Sequence, residues 1–150
     1  ATLKSMKTLN RYARDVLKRH TVHACTDVTG FSLAGHALEM AEGSQVTIKI
    51  DTKKIPFLPD VEEYAKMGLV PEGTYRNKEF LREKIKLNDT IKESFEDLLF
   101  DPQTSGGLLV SLKKKAAKEV LKRLQEQEQT RYSKIVGEVE EKQEVHLIFL

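Results

Sequence analysis

The sequence predicts an α+β domain, a mixed β-sheet covered by helices. Amphipathic helical stripes and short alternating strands follow one another without a strict strand–helix–strand rhythm. The chain then ends on two strand-like runs that read as a hairpin. Its 150 residues make one domain the default, residues 1–150, and the apolar stripes suffice for a core.

In chain order, Leu9, Tyr12, Ala13, Val16 and Leu17 recur at helical spacing, so a first helix is expected to run to about His20. Arg11, Arg14, Asp15, Lys18 and Arg19 form its wet face. A short strand follows from Val22 to Thr26 and stops at Asp27. Gly30 supplies the backbone freedom of a sharp turn. Phe31, Ala34, Leu38 and Ala41 then mark the apolar face of a second helix, with Gly43 as its expected C-cap. Val46 to Ile50 alternates apolar and polar, the signature of a half-buried strand. Lys53 to Pro59 holds two prolines and reads as a connection. Pro59-Asp60 starts a short helix carrying Val61, Tyr64 and Ala65, and Gly68 stops it.

Leu69 to Leu87 shows no clear period. Pro71 and Gly73 break it, Phe80, Leu81 and Ile85 are its apolar anchors, and a mobile excursion is expected there. Ile91, Phe95, Leu98 and Leu99 make a further helix, ended by Asp101-Pro102 because proline disfavours helix at the residue before it. Thr104-Ser-Gly-Gly107 turns into a strand from Leu108 to Leu112. Ala117, Val120, Leu121 and Leu124 mark a helix with a charged outer face. Ile135 to Val139 and Val145 to Leu150 are the closing strands, joined by the polar turn Glu140 to Glu144.

Composition narrows the function classes. At 39% hydrophobic and 32% charged residues the chain has a soluble globular composition. A net charge of +2 argues against nucleic acid or an anionic membrane as partner. No apolar run is long enough to span a bilayer, and no signal peptide is visible at the start. The single cysteine, Cys25, excludes an internal disulfide and suits a reducing cytoplasm. A free cysteine without a base placed beside it reads as a small buried hydrophobe. His20, His23, His36 and His146 have no zinc-type spacing with it. His36, inside a helix, and His23, on a strand, read as packing or hydrogen-bonding residues.

The stretch Cys25 to Leu38 carries the sharpest chemical signal. A strand, a tight turn and a helix leave free N–H groups at the helix start, where an anion can sit. Asp27 beside that turn has two readings. An Asp just before a helix caps it; a carboxylate beside a phosphate-facing turn also holds a divalent cation. Spacing alone leaves both open.

Two long segments point further. HACTDVTGFSLAGHALEMA, from His23 to Ala41, together with DPQTSGGLLV, from Asp101 to Val110, resembles selenophosphate synthetase, also called selenide, water dikinase, in its C-terminal domain. Thr8-Leu-Asn10, Gly73-Thr-Tyr-Arg-Asn77 and Ile135-Val-Gly-Glu138 agree with it, so the resemblance spans nearly the whole chain. Ser32 departs from it, standing where the family usually has Gly.

The resemblance implies an α+β fold with a partly ferredoxin-like arrangement. It implies an enzyme making selenophosphate, AMP and phosphate from ATP, selenide and water, with Mg²⁺ on the phosphates. It carries Asp27 over as a Mg²⁺ ligand, in the motif Thr26-Asp-Val-Thr-Gly30. It makes Thr104, Ser105, Gly106 and Gly107 candidates for the nucleotide side of the cleft. The reactive cysteine or selenocysteine and its lysine belong to the family's N-terminal ATP-binding domain, which this chain lacks, so no catalytic residue is expected here. A cytoplasmic homodimer is implied, with no nucleic acid and no membrane.

Three other readings stand beside this one. The first is another member of the superfamily: aminoimidazole ribonucleotide synthetase, thiamine-phosphate kinase or the hydrogenase maturation dehydratase. DPQTSGG favours the selenium branch. The second is a non-catalytic binding module in which the Asp27 turn is structural. The third is a nucleic-acid binder using the basic first helix, against which the net charge argues.

Overall fold

The computed structural model describes residues 2–150. The first apolar stripe forms a shorter helix than expected, α2 (Arg11–Leu17), and a separate, unexpected helix, α1 (Thr2–Lys7), precedes it. Leu9 lies between them and is exposed. Strand β1 (Val22–Asp27) and helix α3 (Ser32–Ser44) follow. Helix α3 runs past Gly43, and its C-cap is Gln45 in the left-handed region at φ 53° and ψ 46°. Ala34, Ala37, Leu38 and Ala41 are its buried face. Phe31, expected on that face, lies outside it with its ring edge-on to His36 at 5.8 Å.

Strand β2 (Val46–Ile50) and the short helix α4 (Val61–Lys66) form where expected, and Gly68 closes α4 at φ 73°. The segment expected to be an irregular, mobile excursion is instead regular. It contains helix α5 (Glu72–Leu81), a single 3-10 turn at Arg82–Lys84 and strand β3 (Lys86–Leu87). Leu81 and Ile85 are buried in the main core, whereas Phe80 is outside it with the Lys84 ammonium over its ring. Helix α6 (Glu93–Leu99), strand β4 (Leu108–Leu112), helix α7 (Lys114–Gln125) and strands β5 (Gly137–Glu141) and β6 (Leu147–Phe149) complete the chain.

The α+β class is as expected, but the strands divide into two sheets. One is an antiparallel ribbon of β1 and β4; the other has four strands in the order β3-β6-β2-β5. The closing strands are not a hairpin. β2 stands between them, antiparallel to β5 and parallel to β6. Burial explains the outcome. β2 and β6 carry apolar residues that need cover, whereas β5 is rich in glutamate and mostly exposed, which suits a sheet edge. Local proximity favoured the hairpin; the apolar strands took the interior.

The main core lies between α3, α6 and the four-stranded sheet, with Ile50, Leu99, Phe100, Leu147 and Phe149 fully buried. A second cluster packs Val16, Leu17 and Val120, from α2 and α7, onto the ribbon residues Val22, Leu108, Val110 and Leu112. Helices α5 and α6 are tied by the Lys78 ammonium, 2.7 Å from Asp97 Oδ1 and 3.2 Å from Glu96 Oε1. Burial alone would lower the Lys78 pKa, but the hydrogen bond to Asp97 and the charge of Glu96 outweigh it and hold it above the ordinary value. No helix among the described residues is long and apolar enough to cross a membrane.

Candidate functional site

The ribbon brings the two long motifs together. Asp27, the last residue of β1, stands opposite Leu108 at the start of β4. Beyond the strands the backbones stay paired. Val28 N–H donates to Gly107 O at 2.9 Å, Gly106 N–H to Val28 O at 3.0 Å, and Gln103 N–H to Thr29 O at 3.1 Å. The Asp27 turn and the loop 101–107 therefore form one junction. Thr104, Ser105 and Gly107 are exposed on it, and Gly106 is half-buried.

Gly106 is required by close approach. A Cβ there would lie 2.4 Å from Val28 O and 3.1 Å from Val28 Cβ. The close neighbour is thus the Asp27 turn itself. A Cβ on Gly107 would meet nothing within 4 Å.

The cap reading of Asp27 fails. Helix α3 begins at Ser32, and Gly35 N–H in its first turn is shared between Phe31 O at 3.1 Å and Ser32 Oγ at 3.4 Å, with no part for Asp27. The Asp27 side chain is exposed and makes no hydrogen bond or ion pair among the described residues. Cys25, two residues earlier, is exposed rather than buried. Partial burial, followed by the Asp27 charge, raises the Cys25 thiol pKa above its ordinary value and leaves it the less reactive for that.

Neighbouring side chains hold the junction in shape. His36 Nε2 lies 2.9 Å from Thr29 Oγ1, and its Nδ1 lies 3.2 Å from Glu39 Oε2, so His36 has the hydrogen-bonding role expected of it. Asn10 donates its amide to Gly106 O at 3.3 Å. Asn77 donates to both Gly30 O and Phe100 O at 3.0 Å. A Cβ on Gly73 would lie 2.9 Å from Pro102 Cγ, so α5 sits directly on the second motif. Asp101 is half-buried and accepts from Gln103 Nε2; burial raises its carboxyl pKa. Asn10 and Asn77 were missed as site residues in the sequence, although both lie in short segments that carried the resemblance. The signal was a polar amide inside those segments.

Ser32 is fully buried with φ at 68°, a left-handed conformation that costs an L-residue roughly 1–2 kcal/mol. Gly would adopt it freely. Ser32→Gly should stabilise the protein by about 1 kcal/mol, since replacing a serine cap by glycine forfeits only a few tenths. Thermal melting should rise by about 2–4 °C. A fall would mean that the bond to Gly35 outweighs the strain.

A family of known proteins matches this chain over residues 2–149: AIR synthase related protein, C-terminal domain. The chain belongs to that family. Within it, the chain is 47% identical over 137 residues to the selenide, water dikinase of Clostridium botulinum strain Eklund 17B, covering 91% of this chain and 39% of that protein. It is 43% identical over 148 residues to selenide, water dikinase 2 of Peptoclostridium acidaminophilum, covering 99% of this chain and 42% of the relative. The chain thus spans about two fifths of these curated relatives, and the resemblance read from the motifs is borne out. Among solved structures, HypE in its complex with HypF aligns with TM-score 0.66 at 19% identity, covering 95% of this chain and 38% of that one. Escherichia coli HypE, a hydrogenase maturation protein, aligns with TM-score 0.61 at 20% identity, over 90% of this chain and 34% of that one. These likenesses establish an AIR synthase-like C-terminal fold.

Proposed function

We propose that this chain is the C-terminal domain of an ATP-dependent selenophosphate synthetase, which converts ATP, selenide and water to selenophosphate, AMP and phosphate. The observation that carries the reading is the junction itself. Both long motifs meet there, in a chain 47% identical over 137 residues to a selenide, water dikinase. The same relatives favour the selenium branch over the other superfamily members.

In this reading Asp27 contributes one ligand to Mg²⁺. No group of three His, Cys, Asp or Glu side chains that could hold a metal ion occurs among the described residues. A single exposed carboxylate fits a share of a Mg²⁺ site, because Mg²⁺ is commonly held by one or two carboxylates together with phosphate oxygens. The remaining ligands come from ATP and from an N-terminal ATP-binding domain that supplies the nucleophile. Bound there, Mg²⁺ offsets phosphate charge and aligns the transferring group. The chain's own task is to hold Asp27 and the exposed edge of Thr104, Ser105, Gly106 and Gly107 against the nucleotide and to close the cleft. The full-length enzyme is a cytoplasmic homodimer in this reading.

The test compares the full-length enzyme with residues 1–150 alone, by AMP formation from ATP with selenide and Mg²⁺, and by calorimetry. The full-length enzyme should turn over. The domain alone should not, and should hold Mg–ATP with a dissociation constant of about a millimolar or weaker, because one carboxylate is a poor Mg²⁺ site. Turnover by the domain alone, or micromolar binding to it, would locate the main nucleotide site in these residues and overturn the division of labour.

A further inference from the structure

Asn77 lies in the middle of α5, half-buried, and its amide spends its hydrogens on two different loops. One goes to Gly30 O, at the end of the Asp27 turn, and the other to Phe100 O, at the start of the loop that runs to Gly107; both distances are 3.0 Å. Both acceptors are carbonyl oxygens. Only the NH₂ end of a carboxamide can serve both, so chemistry fixes which way the amide points. No carboxylate or hydroxyl could replace it, since a carboxylate only accepts and a hydroxyl has one hydrogen.

The helix carrying Asn77 is a firm base. Gly73 packs on Pro102, and Thr74 and Leu81 are buried. The two loops are already joined at their strand side by the bonds among Val28, Thr29, Gln103, Gly106 and Gly107. The Asn77 bonds join them at the other side, at Gly30 and Phe100. With both sides tied, the separation of the loops is set. We infer that Asn77 is a positioning residue that fixes the Asp27 turn against loop 101–107, and so sets the Mg²⁺ affinity of the full-length enzyme. The inference rests on the function proposed above.

The experiment is a Mg²⁺ titration of selenide-dependent AMP formation by the full-length enzyme, with thermal melting alongside. It compares Asn77→Ala, Asp27→Asn and Lys78→Met with wild type. Lys78 is the next residue on α5, and its ion pairs go to Glu96 and Asp97 of α6. Asn77→Ala should raise the half-activating Mg²⁺ concentration about 10-fold, since ångström-scale misplacement costs of order ten- to a hundredfold, and saturating Mg²⁺ should restore most of kcat. Lys78→Met should lower the melting temperature and leave the Mg²⁺ midpoint unchanged. If Asn77→Ala lowers only the melting temperature, as Lys78→Met does, Asn77 is merely structural and the inference is wrong, while the proposed function stands. If Asp27→Asn leaves the Mg²⁺ dependence and turnover at wild-type values, Asp27 is no Mg²⁺ ligand and the inference falls with that role; the proposed function itself fails only if the wild-type enzyme forms no AMP with selenide. Should Asn77→Ala not fold, Asn77→Ser keeps a single donor and is expected to show the same shift at smaller size; an unshifted midpoint there is equally decisive against the inference.

Discussion

Asp27→Asn in the full-length enzyme is expected to melt at the wild-type temperature and to lose about 100-fold or more in turnover, the order of a lost electrostatic contact in a transition state. The stability half follows from the geometry. The Asp27 side chain is exposed, caps no helix and pairs with no cation among the described residues, so nothing in the fold depends on its charge. Asn has nearly the same size and the same tolerance of turns. The activity half follows from the proposed metal role. The exchange removes one anionic oxygen from Mg²⁺ and leaves the phosphates with poorer charge compensation and alignment. Raised Mg²⁺ should recover only part of the loss, because occupancy can be restored by mass action but the missing charge cannot. The Asp27 charge helps to hold the Cys25 thiol pKa up, so thiol titration should show it falling part of the way back in the variant. Wild-type turnover across the whole Mg²⁺ range would mean that Asp27 is a surface residue and nothing more.

Much of this site was legible from local sequence. The end of β1 at Asp27 and the strand after Gly107 follow from alternation, glycine and proline signals that act over a few residues; a turn does form at Gly30, but the left-handed residue in it is Ser32, not the glycine. What was not legible depends on distant partners. The closing strands read as a hairpin because only their separation along the chain was visible; their separation in space was decided by β2, whose apolar residues took the centre of the sheet. Helix α5 was hidden because Pro71 and Gly73 look like breakers, yet Pro71 stands at its N-terminus, where a missing N–H costs nothing, and Gly73 is there to admit Pro102. The stripe of the first helix was read through Leu9, which is exposed, because spacing cannot tell a buried apolar residue from a solvated one. Ser32 reads in the sequence only as a departure from the family's Gly; the backbone shows that it occupies a left-handed position. Asn77 could not be recognised as a clamp without knowing that Gly30 and Phe100 lie on either side of it.

Gly106 and Gly107 look equivalent in the sequence, and their alanine variants are expected to behave differently. In Gly106→Ala the new methyl would stand 2.4 Å from Val28 O and 3.1 Å from Val28 Cβ. Backbone cannot yield as the tip of a flexible side chain can, so the strand ends must part. That strains or breaks the bond from Gly106 N–H to Val28 O and loosens the neighbouring one from Val28 N–H to Gly107 O. Overpacking typically costs 1–3 kcal/mol and a lost buried hydrogen bond about 1 more, so a loss of about 3 kcal/mol is expected. For a domain of this size that lowers the melting temperature by roughly 6–12 °C. Gly107→Ala meets open space and should melt within about 2 °C of wild type, as substitutions without a named clash usually do. The pair also separates two uses of glycine. If the close approach at Gly106 served a nucleotide instead of Val28, Gly106→Ala would keep its stability and raise KM for ATP. The expected result is the reverse, with stability lost at Gly106. Any pure KM effect should then appear at Gly107, whose exposed face is free to meet a phosphate in the proposed cleft. Equal melting temperatures for the two variants would show that the Val28 contact relaxes easily, and that the junction is softer than its hydrogen bonds imply.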